Sequence, residues 1–345
     1  MNKIHTILLL AFATLLCGCG EQHTSSHTNG DGQINYAEFK IALSAVSHVA
    51  FTGIHATTAE LHPTIIGLEA GPNIVQSLRS TASSSGHAGN LAIEPVAAMI
   101  LSDANPIIIG TTITGGKNVK LVTPSESGVS ADPESLRGKK IGVVLDTIGE
   151  SYLLGLLKKG GLRESDVVIV NGLPTQLMAG IYNGSLDAAV LWSPFLKIVQ
   201  REYANRIKEN PSLDKGAIRV FNDPDVFSLN MLIVTTRDKL RQERSDLKRL
   251  LQSFISAEIA INADRTSHQV AVENWLGLQS GDLSDFFSDA EFTLKLDVPK
   301  IISELRLVVD RSASKRGVIA PIDLSHYIDT SLLQEVDSGR VVTAP

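Results

Sequence analysis

Several stretches carry residue types at spacings that could do chemistry. Counted from His27 as position one, Asn29, Asp31, Gly32, Ile34, Asn35 and Glu38 fall at positions 3, 5, 6, 8, 9 and 12. A sharp glycine followed by a terminal bidentate acid is what a calcium loop requires. Position one, however, is His27 where an aspartate normally anchors the ion. Too few residues separate it from Cys19 to form an entering helix. A polar tether that imitates the pattern fits better, so no metal site is assigned, and Asn29, Asp31 and Glu38 stand as a weak candidate. His48, His55 and His62 recur every seven residues. On one helix that spacing separates neighbours by about 10.5 Å, too far for two imidazoles to share a zinc at about 2 Å. They read as surface histidines. Gly110 to Lys117 superficially looks like a phosphate loop, but its lysine falls one position late and Asn118 stands where Ser or Thr should hold magnesium. It reads as a loop in which Thr111 and Thr112 could line a cleft. With no GxGxxG, HExxH or serine elbow and no nucleophile–base pair, the chemistry expected is binding: not an enzyme, and no cofactor.

The N-terminus predicts export. Lys3 precedes an apolar run from Ile7 to Leu16, too short to span a bilayer and the right size for a signal segment. It ends in Leu16-Cys17-Gly18-Cys19, which resembles a bacterial lipobox with cleavage before Cys19; an ordinary secretory signal is the competing reading. Cys17 and Cys19 are the two cysteines of the 345-residue chain, so the mature domain would carry no disulfide and Cys19 would carry lipid. Its length suffices for a core that needs none. A formal net charge of -6 and the lack of a basic block argue against nucleic acid. Aromatic content of 5% is low for a sugar binder that uses stacking platforms.

Residues 20–33 are polar and give a tether. The most regular elements follow Leu136. Ile141-Gly142-Val143-Val144 reads as a strand. A helix with Leu153, Leu154 and Leu157 on one face follows, with Lys158 and Lys159 in its last turn and Gly160 as left-handed cap. Asp166 to Asn171 is a strand, a Pro-started helix ends at Asn183-Gly184, and Asp187 to Trp192 is the next strand. Strand, helix, strand, helix, strand is a parallel α/β unit. An earlier copy of that order is expected from strands at Phe39–Ser44, Thr64–Glu69, Asn90–Ile93 and Pro106–Gly110, with a helix opening at Gly71-Pro72-Asn73. Asn118 to Thr123 reads as an extended crossover. Asn230 to Val234 reads as a strand returning to the first unit, Lys239 to about Asn262 as a long packing helix, and Asp337 to Pro345 as a loose tail.

Parallel units bind ligands beyond the carboxyl ends of their strands, where side chains and helix-start amides face a cleft. The candidates are Ser44 and Ser47 after the first strand, Gly71 and Asn73 at a helix start, Glu94 after the third strand and Thr111 after the fourth. In the second unit they are Thr147, Ile148 and Gly149, then Asn171, then Trp192, the last of which could equally be a core residue.

The order and wording of Leu136 to Phe195, with Phe292-Thr293-Leu294-Lys295-Leu296-Asp297 further on, resemble the ABC-transporter periplasmic substrate-binding proteins of the nitrate/sulfonate/taurine-binding family and its thiamine-pyrimidine relatives. The resemblance runs from Phe39 to about Val309. It implies a type II periplasmic binding protein fold, two α/β lobes joined by two crossovers, that captures a small-molecule solute for an ABC permease. It also favours the first strand tip, the Gly71–Asn73 turn, the turn at Thr147 to Gly149 and Trp192 as ligand contacts. The expected layout is a signal peptide at 1–18, the lipidated Cys and tether at 19–38, lobe 1 at 39–122, lobe 2 at 123–223, and the return to lobe 1 with C-terminal helices at 224–345.

One departure bears on the solute. Such proteins usually carry Gly-Ser or Ser-Thr in the turn after Lys140-Ile141-Gly142, and this chain has Asp146-Thr147-Ile148-Gly149-Glu150. With Glu94 also near the cleft and no arginine at an expected strand tip, ionised carboxylates would repel an inorganic oxyanion. The expected solute therefore has a cationic or donor-rich part, an amino-sulfonate or an aminopyrimidine. If instead these carboxylates are solvated partners of helix starts, that preference goes. The competing function is an exported lipoprotein that uses the fold as a sensor or partner-binding module.

Overall fold

The computed structural model describes residues 40–43, 64–65, 88–115, 117–226, 228–275, 277–317 and 322–343. The signal and lipobox, the calcium-like loop, the three spaced histidines and the candidates Ser44, Ser47, Gly71 and Asn73 lie outside the described residues.

In chain order the first elements are β1 (Lys40–Leu43), β2 (Thr64–Ile65), β3 (Ala88–Leu91), α1 (Ile93–Leu101), β4 (Pro106–Gly115) and β5 (Val119–Pro124). Then come β6 (Lys140–Val143), α2 (Ile148–Lys159), β7 (Val168–Asn171), α3 (Pro174–Asn183), β8 (Ala188–Trp192), α4 (Phe195–Glu209) and β9 (Ile218–Phe221). The chain continues through β10 (Leu229–Thr236), α5 (Arg237–Gln242), α6 (Arg244–Ala263), α7 (Arg265–Trp275), α8 (Ser284–Asp289), β11 (Glu291–Asp297), α9 (Val298–Arg316), α10 (Ser331–Asp337) and β12 (Val341–Val342).

These strands form two mixed sheets. One has the order β12-β11-β4-β10-β3-β1-β2 and the other β7-β6-β8-β5-β9. Within the second, β6 pairs in parallel with β7 and β8, as the alternating apolar strands and capped helices of Leu136 to Phe195 predict. Thr147 caps α2, its Oγ1 accepting from the Gly149 amide at 3.1 Å. Pro174 opens α3, and Gly184 at φ 73° closes it. The chain passes to the second sheet between β4 and β5 and returns between β9 and β10. Two lobes and two crossovers make this a type II periplasmic binding protein fold. One apolar cluster runs from Ile108, Leu232 and Phe292 to Ile141, Tyr152 and Leu157, so the lobes share packing. Among the described residues no helix is long and apolar enough to cross a membrane.

Several expectations need correction. The third strand stops at Leu91, and Ile93 begins a helix. Asn118 to Thr123 is no bare crossover: β5 pairs with both β8 and β9, so the chain enters the second sheet at Val119. The fourth strand runs on past Gly110 to Gly115. There Gly110 answers packing, because a Cβ would meet Leu294 Cδ1 at 3.0 Å. The helix expected from Lys239 is two helices that break at Glu243. The left-handed turn after α2 is at Gly161, φ 65°. Gly160 instead allows close approach, since its Cβ would lie 2.9 Å from the Pro133 carbonyl carbon. Nor is the C-terminus a loose tail through residue 343. Val341 and Val342 pair with β11, and Arg340 Nη1 reaches Glu258 Oε2 and the Leu294 carbonyl, both at 2.7 Å.

Candidate functional site

The carboxyl ends of β6, β7 and β8 meet at one edge of the second lobe. Thr147 Oγ1 donates to the Val144 carbonyl at 2.7 Å while it caps α2, which fixes the turn. Ile148 and Gly149 are buried in the first turn of α2. Asn171, exposed at the end of β7, accepts the Leu145 amide on Oδ1 at 3.1 Å and ties the neighbouring strand ends together. Trp192 ends β8 half-buried. A Cβ on Gly149 would sit 3.4 Å from its Cζ3, and Phe195 meets the indole edge-on with centroids 6.2 Å apart. The structure therefore brings Thr147, Ile148, Gly149, Asn171 and Trp192 to one end of the sheet. Trp192 packs against both apolar clusters and keeps part of its surface open.

Across from this edge lies the start of α1. Glu94 is its second residue, inside the helix and not in a loop after a strand. It is 5% exposed. The N-cap, Ala92, offers no side-chain acceptor to the first-turn amides. The Glu94 carboxylate lies beside its own amide and the hydroxyl of Ser151, the fourth residue of α2, and both favour its ionised form. Its Oε2 is buried without a partner. Burial pushes the Glu94 carboxyl above its ordinary value; Ser151, its own amide and Arg311 pull it back down, and Glu150 adds a further upward push. Arg311, on α9, donates from Nη2 to Ser151 Oγ at 2.8 Å. The starts of α1 and α2 thus face one another through Glu94, Ser151 and Arg311, one residue from each of three helices.

The other acidic candidates divide. Glu150 is buried, and its Oε2 accepts the Asp146 amide at 2.9 Å, so it braces the turn before α2. Asp146 itself is exposed, at φ 56°. Glu304, on α9, accepts from Asn230 Nδ2 at 2.7 Å. Burial raises its carboxyl, Lys300 and Asn230 lower it, and Asp297 and Glu94 raise it again. Among the described residues no group of three His, Cys, Asp or Glu side chains converges as a metal site.

Thr111 is a correction. It lies inside β4, buried and paired in register with Leu232 and Lys295, away from any strand end. Its neighbour Thr112 is bound into the core, exchanging hydrogen bonds with Asn90 at 3.1 and 3.4 Å. Arg311, Ser151, Glu304 and Asn230 are absent from the sequence-based candidates, and no local pattern marks them: two lie on a long helix and come to the junction only through packing. Asn118 joins them at the first crossover. Its Oδ1 accepts the Ser193 amide at 3.3 Å, and its Nδ2 is buried without a partner.

Comparison with known proteins agrees with this architecture. The crystal structure of the periplasmic aliphatic sulphonate binding protein SsuA from Escherichia coli superposes with a TM-score of 0.70 at 16% identity, covering 85% of this chain and 92% of that one. The alkanesulfonate-binding protein SsuA from Xanthomonas axonopodis pv. citri, bound to MOPS, gives 0.67 at 15% identity over 86% and 99%. At these identities the likeness is one of fold, and the same fold appears in a desulfurization enzyme, DSZB, at 13% identity and a TM-score of 0.56, covering 87% of this chain and 99% of that one. The chain belongs to the NMT1/THI5-like family, whose model matches residues 87–261. A segment of 134 residues, 39% of this chain, is 28% identical to the taurine-binding periplasmic protein of Escherichia coli (strain K12) and spans 40% of that relative's length.

Proposed function

We propose that this chain is the solute-binding component of an ABC importer. It captures a small organic solute, sulfonate/taurine-like or aminopyrimidine-like, between its lobes and delivers it to a membrane permease. The observation that carries this reading is the meeting of two helix starts, one from each lobe, around buried polar atoms that are only partly partnered. Opposed helix starts and strand ends are where this class of fold holds its ligands. The named relatives bind taurine and sulfonates, which supports the same solute range here. The lipobox-like Leu16-Cys17-Gly18-Cys19 supports export and anchoring through Cys19 to an envelope membrane.

No bond is made or broken in this reading. The stretches between β4 and β5 and between β9 and β10 act as hinges, and a solute that touches α1 and α2 together favours the closed state. The test is native mass spectrometry of the protein beginning after Cys19, followed by thermal shifts against sulfonates, nitrate, taurine and aminopyrimidines. A solute present at 100 times its Kd adds about 2.7 kcal/mol of stability, which a melting curve resolves. Retention of a small molecule, or a rise of several degrees with one compound, is the expected outcome. No binding across the panel would favour the alternative, an exported lipoprotein that uses the fold as a sensor or partner-binding module.

A further inference from the structure

An uncapped helix start attracts negative charge, and at α1 the chain provides that charge itself. The Glu94 carboxylate occupies the first turn, beside its own amide and the Ser151 hydroxyl. Any solute oxyanion approaching α1 would meet a carboxylate where the amides would otherwise receive it.

The surroundings sharpen the effect. Glu150 from α2 opposes the ionisation of Glu94, and Glu94 opposes that of Glu304 on α9. Among the described residues the cation that favours it is Arg311, which is also hydrogen-bonded to Ser151 at 2.8 Å. Lys300 is 3.9 Å from Glu304, and Asn230 is engaged there at 2.7 Å. Three carboxylates therefore stand against one half-buried guanidinium and one half-exposed ammonium. Within that arrangement Glu94 Oε2, on a residue 5% exposed, has an acceptor's lone pairs and no donor. Buried acceptors without donors cost stability and call for a partner that arrives from outside. A carboxylate oxygen at such a place is matched by an N–H group that carries, or shares, positive charge.

Resting on the reading of the chain as a solute-binding protein, we propose that Glu94 is a solute-contacting specificity residue. It accepts a hydrogen bond from a protonated amine or an aromatic amino group of the solute, and an oxyanion with no N–H group is refused at this place. Selection here is by charge sign, through a side chain on lobe 1, with Ser151 of lobe 2 orienting the carboxylate.

Matched pairs of solutes test this by isothermal titration. Taurine and ethanesulfonate share the sulfonate and differ in the amine; 4-amino-2-methylpyrimidine and 2-methylpyrimidine differ in the amino group. In wild-type protein the amine-bearing member of at least one pair should bind roughly tenfold tighter or more, the effect of one charge-assisted hydrogen bond. Glu94→Gln and Glu94→Met should reduce that ratio, with Glu94→Met bringing it close to one while circular dichroism remains native. If Glu94 only caps α1, both variants shift the melting temperature and leave the ratio alone, which overturns the proposal. Equal or tighter binding of the amine-free member in every pair that binds wild-type protein overturns it too, yet leaves solute capture standing. The wild-type comparison decides even if a variant does not fold. Binding of none of the four overturns this proposal and counts against the function on which it rests.

Discussion

Among the described residues, two charged contacts between the lobes are built on opposite principles. Near the first crossover, Arg201 on α4 grips Asp282 with both terminal nitrogens, at 2.5 and 3.3 Å. The Gln279 amide adds a third donor to that acid at 3.0 Å. Lys197 and Lys120 hold Asp285 at 3.1 and 3.3 Å, and Lys117 lies 3.8 Å from Asp289. The segment that carries these aspartates is braced by buried Glu273, whose oxygens accept from Gln269 Nε2 and the amides of Gly281 and Leu283. Asp282 and Asp285 there have their donors. At the start of α1, by contrast, Glu94 is as deeply buried and keeps one oxygen with none. Where carboxylates are partnered the contact holds the lobes together, and where one is left short the proposed solute would supply the missing donor.

The comparison predicts stability changes of opposite sign. Arg201→Ala strands Asp282, whose side chain is 3% exposed, and should cost about 3 kcal/mol, read from the urea midpoint; a loss below about 0.5 kcal/mol would break the contrast. Glu94→Gln should stabilise the ligand-free protein by about 1 kcal/mol at neutral pH, because it removes an under-partnered buried charge. The pH dependence has the matching sign. The folded Glu94 carboxyl titrates above its ordinary 4.5, so its favourable contribution is complete below that value and is lost as pH rises through the raised one. Melting temperatures measured across that window should fall more steeply for wild-type protein than for Glu94→Gln, and parallel curves would contradict it. The smallest effect is expected at Lys120→Ala. Asp285 is 35% exposed on its side chain, and Lys197 and Lys120 together outweigh burial to hold its carboxyl below the usual range. Losing one of two partners at a partly solvated acid should cost well under 1 kcal/mol and shrink with added salt, as paired melts at low and high ionic strength would show.

The second lobe was legible because its signals are local. Pro174, Gly184 and the Thr147 cap mark helix ends, and runs such as Ile141 to Val144 and Ala188 to Leu191 mark strands covered by helices on both faces. Its strand ends accordingly gave Thr147, Gly149, Asn171 and Trp192 as neighbours. Glycines misled where they serve packing: Gly110 looked like a strand end and lies inside β4 against Leu294, which carried Thr111 into the core. The C-terminal residues looked loose because Val341 and Arg340 gain their partners from β11 and Glu258, far off in the chain. Glu94 stands out in the sequence as a carboxylate near the cleft, but nothing local marks its place inside a helix. Arg311, Ser151 and Glu304 gave no signal, since a charged residue on an amphipathic helix looks the same whether it faces water or another lobe.

Hydrogen exchange with and without solute addresses the central claim most directly. Once a binding compound is known from the titrations, its addition should slow amide exchange in the first turns of α1 and α2, residues 93–96 and 147–151, together and in proportion to occupancy. Protection confined to one of these turns, or appearing elsewhere while the compound is bound, would contradict capture between the two helix starts.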